Sequence, residues 1–229
     1  MIHAYGAPHA PVPRLIEALA QRGHRLARDQ GAPDAHSTLV LGPGIVPNPM
    51  ALGTLLGAWR RTPGARVLVL SLLGVHPDTQ GTRLRDLWDL EEQVRSAGLP
   101  TLVLRLAPLV GPESPLWLKL RGRPRLHRTD RQLIQPLVEL DAIETLDRAL
   151  QGAVRWQGWY ELAGPDALTL GELAAMAADS GPPVPSGIGA WEPPLDEMRE
   201  HRLAEPDAWL EHFGMTVSRV GDTAGSWRA

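Results

Sequence analysis

The chain of 229 residues contains no cysteine. Disulfides, thiolate metal sites and cysteine nucleophiles are therefore excluded. Lysine occurs once, at Lys119, and tyrosine twice, at Tyr5 and Tyr160, while arginine is abundant. Chemistry that needs a tyrosine beside a lysine has few residues to draw on. No Tyr-x-x-x-Lys exists: Pro115 stands four residues before Lys119, His9 follows Tyr5 at that spacing, and Gly164 follows Tyr160. The longest uncharged apolar run is about ten residues, too short to span a bilayer. The start lacks a basic segment followed by an apolar core, so no signal peptide is expected and the cytoplasm is the expected compartment. A net charge of −3, with only a short basic stretch at 121–125, gives no reason to expect nucleic acid or an anionic membrane as partner. The eight histidines are scattered without metal-ligand spacing, so no metal is expected. Neither a Gly-x-Ser-x-Gly elbow nor a P-loop is present.

What is there reads most clearly between Arg66 and Pro112. Arg66 to Val75 is an apolar run rich in Val and Leu, which suits a strand buried on both faces of a parallel sheet. Arg83 to Ala97 carries an amphipathic stripe of Leu84, Leu87, Trp88 and Val94, interrupted by Glu91, and Gly98 and Pro100 stop it. Trp88 and Leu84 are expected in the core. Thr101 to Leu106 is a second buried-type strand. Strand, helix and strand make a βαβ unit with a right-handed crossover. Earlier, Ile2 to Gly6 fits a first strand entering a turn, Leu15 to Gln21 a helix, and His24 to Asp29 a second strand. Only a short link then leads to the strand Thr38–Leu41, so no helix and further strand fit between them. Met50 to Arg61 is a helix whose Gly53 and Gly57 are expected to pack closely on the sheet. After Pro112 the chain to Arg131 looks irregular, anchored by Trp117 and Leu118. Asp141 to Leu150 is an amphipathic helix and Trp156 to Leu162 a late strand. Thr169 and Glu172 form a capping box for the next helix. Short helices are expected within 191–213, and the last ten residues look loose apart from Trp227. The reading is an α/β chain with a Rossmann-like, doubly wound parallel sheet and helices on both faces. Residues 1–150 form the core and 151–229 a strand and helical appendage.

Several stretches resemble the atypical and extended short-chain dehydrogenases/reductases, of the NmrA-like and NAD-dependent epimerase/dehydratase kind. They are Val69 to Val75, Val94 to Pro100, Leu104 to Pro112, Gln135 to Asp141 and Tyr160 to Leu173. The resemblance spans roughly residues 1–180. It implies that the sheet's outer third strand is reduced or missing. That would leave a sheet edge for the Trp-rich segment Trp191–Trp227, or a second subunit, to cover. It also implies a dinucleotide held on a glycine turn, where backbone N–H groups meet pyrophosphate. Here the turn runs from Gly6 to Pro13. Gly6 stands at the first glycine position, and His9 and Val12 at the other two. Pro8, Pro11 and Pro13 have no N–H to donate, and the Cβ of Val12 intrudes where close approach is needed. Arg28 and Asp29 are candidates for the adenosine side. Ser71 matches the family's catalytic serine, whereas Arg83 and Leu87 align with its tyrosine and lysine, a pair that supplies a phenolate base. A Ser71, His76 and Asp78 grouping can be drawn, but a His-Pro-Asp turn is the plainer reading.

These features lead to the expectation of a dehydrogenase-like protein without classical redox catalysis and without a cofactor. It would act as a ligand-binding, regulatory or scaffold protein, as NmrA-like regulators do. A protein partner or small molecule would sit at the strand-end crevice, and a homodimer is a further expectation. The alternative is an NAD(P)-dependent epimerase or reductase with an atypical active site, with NAD or NADP as cofactor. A different chemistry on the same sheet is the third reading.

Overall fold

The computed structural model describes residues 1–5, 11–27, 33–42, 49–79, 81–122, 131–181, 203–205 and 207–227. The elements begin with β1 (Ile2–Tyr5), α1 (Pro11–Gln21), β2 (Thr38–Leu41), α2 (Pro49–Arg60), β3 (Arg66–Leu72), α3 (Thr82–Ser96) and β4 (Thr101–Leu106). They continue with β5 (Leu109–Val110), α4 (Pro115–Arg121), β6 (Leu133–Ile134), β7 (Leu137–Val138), α5 (Glu139–Leu150) and β8 (Trp159–Leu162). The last are β9 (Leu168–Thr169), α6 (Leu170–Asp179), α7 (Asp207–Phe213) and α8 (Val220–Ala224). Contacts divide the chain into two compact units, Met1–Arg105 with Leu146–Tyr160, and Leu106–Thr145 with Glu161–Ala229.

The main sheet is parallel and five-stranded, in the order β1-β2-β3-β4-β8, with helices around it. Ile2 pairs with Thr38 and Thr38 with Arg66, so the first residues of three strands lie level. β3 sits in the middle, and Val67, Leu68, Val69 and Leu70 are all fully buried, as its unbroken apolar run requires. α2 and α3 cover the face carrying Val67 and Val69 through Leu52, Leu56, Trp59, Leu84, Leu87 and Leu90. Trp88 only partly enters this core, contrary to the stripe reading, and Leu90 takes the buried position instead.

Among the described residues the expected second strand is represented by one parallel bridge between Ile2 and Leu26. The Ile2 amide donates to the Arg25 carbonyl at 2.8 Å and the Ala27 amide to the Ile2 carbonyl at 2.8 Å. Among the described residues no strand lies beyond this bridge, in keeping with an outer third strand that is reduced or missing.

The second unit has its own core of Val110, Leu116, Trp117, Leu120, Ile134, Val138, Leu170, Leu173, Val220 and others. Two short ladders frame it, β5 with β7 in parallel and β6 with β9 antiparallel. Just beyond the second ladder the Gly164 amide donates to the Gln135 carbonyl at 3.3 Å, joining two stretches that carried the family resemblance, and Gly164 explains how closely they approach. A Cβ at Gly164 would lie 2.1 Å from the Pro136 carbonyl oxygen. The capping box is present: Thr169 Oγ1 accepts from the Glu172 amide, and the Glu172 carboxylate accepts from the Thr169 amide.

Two readings of this region need correction. Residues after Pro112 form a helix, α4, because Ser114 caps it from the Trp117 amide at 3.3 Å and Pro115 opens it. Trp117 is fully buried there, whereas Leu118 is half-exposed and Leu116 and Leu120 take the core positions. The chain's end is also built in rather than loose. Val220 and Ala224 are buried, Trp227 meets Trp117 edge-on at 4.8 Å, and Asp141 accepts from the Ser218 amide at 2.8 Å. The described part of the Trp191–Trp227 segment thus helps to complete the second unit's core. The short helix expected near its end is α7, whereas 191–202 fall outside the described residues.

Candidate functional site

Open parallel sheets bind ligands outside the carboxyl ends of their strands. In the first unit those ends lead to the start of α1, to Gly42 after β2, and to the turn after β3. Of the residues the sequence assigns to the dinucleotide loop, Gly6, His9, Arg28 and Asp29 lie outside the described residues. Val12 is described. It is 2% exposed and packs on Gly42, where an added Cβ would lie 2.2 Å from Val12 Cγ2. Gly42, at the strand end, leaves the space that the Val12 side chain occupies. The Val12 side chain is thus taken up by contact with the end of β2. The donor objection stands in part. α1 begins at Pro11, and Pro11 and Pro13 lack N–H groups, leaving Val12 and Arg14 as amide donors in the first turn.

Ser71, the candidate catalytic serine, lies near the end of β3 and is fully buried. Its hydroxyl donates to Glu91 Oε1 at 2.6 Å. Glu91 is itself fully buried on α3 and receives Arg105 Nη2 at 2.7 Å and Arg105 Nε at 3.2 Å. The Arg105 guanidinium, on β4, also lies 4.4 Å from the Trp159 ring and 5.9 Å from the Trp88 ring. Serine, carboxylate and guanidinium thus form one buried network at the ends of β3 and β4. Such a pair persists only where both charges are hydrogen-bonded. Glu91 lies on α3 at helical spacing after Arg83 and Leu87, the positions aligned with the family's tyrosine and lysine. Sequence reading passed over this network, although a signal existed. Past the strands' first residues, Arg66 and Thr101, each of three apolar patterns is interrupted by one polar residue: Ser71 in β3, Glu91 in the α3 stripe and Arg105 in β4.

His76 and Asp78 sit apart from Ser71 on an exposed turn, with His76 Nδ1 accepting from the Asp78 amide at 3.2 Å. The structure does not bring Ser71, His76 and Asp78 together, and the plain turn reading holds. Burial raises the pKa of both Tyr5 and Tyr160, so neither phenol is tuned toward a phenolate at neutral pH. Gly53 and Gly57 line an open groove of about 240 Å³ beside Gln93 and Ala97 between α2 and α3, rather than packing on the sheet. Among the described residues no cluster of three His, Asp or Glu side chains could hold a metal ion. None of the helices described is long and apolar enough to cross a membrane.

No family model matches the sequence, and no curated protein matches it. The three-dimensional comparison is decisive. A UDP-N-acetylglucosamine 4-epimerase from Bacillus cereus superposes with a TM-score of 0.70 at 13% identity, over 99% of this chain and 97% of that one. The fold is that of the NAD-dependent epimerase/dehydratase-type short-chain dehydrogenases/reductases. MoeE5 in complex with UDP-glucose and NAD gives 0.69 at 16% identity, over 99% and 96% of the two chains. The enzyme WbmG of Bordetella bronchiseptica in complex with NAD and UDP gives 0.65 at 16% identity, over 99% and 94%. These neighbours also correct the expectation that the chain takes no cofactor. WbmG, WbmH and MoeE5 were each solved with NAD. That expectation rested on the glycine turn, on the short link after Asp29 and on the absence of a Tyr-x-x-x-Lys.

Proposed function

We propose that this chain binds NAD along the carboxyl ends of the first unit's strands and acts as an epimerase- or reductase-type protein with an atypical active site. The supporting observation is the likeness of fold across 99% of the chain to proteins solved with NAD. The described residues fit such a ligand with a reduced set of donors. The Val12 and Arg14 amides at the start of α1 would face the pyrophosphate, and Gly42 keeps the helix close to the sheet. When bound, NAD would supply a hydride acceptor. Proton transfer would then fall to a group other than a tyrosine beside a lysine. Sugar nucleotides are the substrates to try first, since WbmG and MoeE5 hold UDP or UDP-glucose beside NAD.

A second reading is favoured by the two tyrosines with raised pKa and by Ser71 being committed to Glu91. In it the chain binds NAD without turning over, as a ligand-responsive protein. Nucleotide released from the purified, denatured protein and identified by chromatography tests the shared part. Absorbance change at the reduced nicotinamide band, with UDP-sugars added, separates the two. Protein that carries no nucleotide and gains none on incubation with NAD would reject both.

A further inference from the structure

We propose that Ser71, Glu91 and Arg105 are positioning residues that set the turn after β3 for the nicotinamide half of the dinucleotide. This rests on the NAD reading above. The network ties α3 to β3 and β4 at their carboxyl ends, through contacts of 2.6, 2.7 and 3.2 Å. Two residues beyond Ser71 the chain enters the turn Leu73 to Thr79. That turn depends on the strand end: the Val75 amide donates to the Leu72 carbonyl at 3.3 Å, and Gly74 adopts φ 95°. Val75 is 2% exposed and belongs to the same core as Leu84 and Leu87. The turn is therefore anchored at both of its near points, at Ser71 by the network and at Val75 by packing.

The topology says which part of a ligand this turn would meet. In a Rossmann sheet the pyrophosphate lies over the turn after the first strand, and the adenosine ribose lies toward the second. Here the second-strand side is that of Leu26, on the outer side of β1. The other half of the dinucleotide then runs toward β2 and β3, and the turn after β3 borders it. A buried ion pair is a weak source of stability compared with apolar residues of similar volume. Its cost is matched by what it supplies, a directional tie that greasy packing does not give.

The test uses three variants of the full chain: Ser71→Ala, Glu91→Gln, and the double variant Glu91→Leu with Arg105→Leu. The double variant removes both charges together, so no lone buried charge opposes folding. Amide hydrogen exchange is read at Leu73 to Thr79 and, as control, within α1. Calorimetry then compares NAD with ADP-ribose, which lacks the nicotinamide. The expected result is exchange about tenfold faster in the turn of the double variant, with α1 unchanged. NAD affinity should fall about tenfold while ADP-ribose stays within about twofold, and Ser71→Ala and Glu91→Gln should fall between. Unchanged exchange in the turn, or equal acceleration everywhere, overturns the proposal whether or not nucleotide binds. Equal weakening of NAD and ADP-ribose, or none, overturns it as well. Failure of the unaltered chain to bind either ligand would strike the NAD reading and this proposal with it, whereas unchanged exchange with NAD still bound strikes this proposal alone.

Discussion

At the scale of single residues, the most informative side chains are polar ones placed where apolar ones belong. Glu91, Arg105 and Asp141 are all buried, and each has a defined partner. Asp141 accepts from the Ser218 amide at 2.8 Å and from the Ser218 hydroxyl at 3.2 Å. Burial raises its pKa, and the two Ser218 contacts offset this only in part. A folded-state pKa above the unfolded one contributes stability that is complete below the unfolded value of 3.8 and lost as pH rises through the folded value. Asp141→Asn should therefore flatten the dependence: from acid toward neutral pH the wild type should lose stability relative to the variant. Urea unfolding at a series of pH values reads this directly, and a wild type that gains on the variant as pH rises would contradict it. The tryptophans give a second residue-scale prediction. Trp117 is fully buried and donates from Nε1 to Ser180 Oγ at 3.1 Å, whereas Trp88 is half-exposed. Trp117→Ala should cost about 3–5 kcal/mol, with Trp88→Ala clearly less. Equal losses in chemical denaturation would mean that the two environments have been misjudged.

At the scale of elements, close packing depends on where the glycine sits. Val12 at the start of α1 and Gly42 at the end of β2 share one space. Gly42→Ala should cost about 1–3 kcal/mol by overpacking, and much of that should vanish in a Val12→Ala background. A double-mutant cycle without coupling would show that the two do not share that space. Thr169→Ala should cost about 0.5–2 kcal/mol through loss of the α6 cap, read from the thermal or urea midpoint. The elements legible in the sequence were those whose pattern is local and strong. Thr38–Leu41 and Thr101–Leu106 match the structure residue for residue, and α3 is displaced by one residue at each end. The Thr169 cap was legible because its two partners stand three residues apart. Less legible was α4, a short helix whose Ser-Pro start lay in a basic stretch, and so was the end of the chain, where Val220, Ala224 and Trp227 are ordered by distant partners. The pairing within the buried network was not legible for the same reason, although each of its polar residues interrupts an apolar pattern. Ser71, Glu91 and Arg105 belong to three elements, and no periodicity links them. Gly6, His9, Arg28 and Asp29, the other residues of the candidate site, lie outside the described residues.

At the scale of the whole molecule, the chain forms two compact units, each with its own core. Removing residues 214–229 should lower the thermal midpoint, because it takes Val220, Ala224 and Trp227 from the second core and Ser218 from Asp141. An unchanged midpoint and solubility would show that this segment is dispensable. The sequence resemblance and the structural neighbours agree on fold, and they part over the cofactor. Motif reading weighed lost glycines and added prolines, whereas the fold places the chain among proteins solved with NAD. On the NAD reading proposed above, the missing pyrophosphate donors would weaken the site, since each charge-assisted hydrogen bond contributes about 1.5–3 kcal/mol, without abolishing binding. The measurement that bears most directly on this is calorimetric titration of the purified chain with NAD, NADH, NADP and NADPH. Saturable binding of NAD or NADH with a dissociation constant in the range of about 1–100 μM is the predicted result, and no heat from any of the four up to about 1 mM would contradict it.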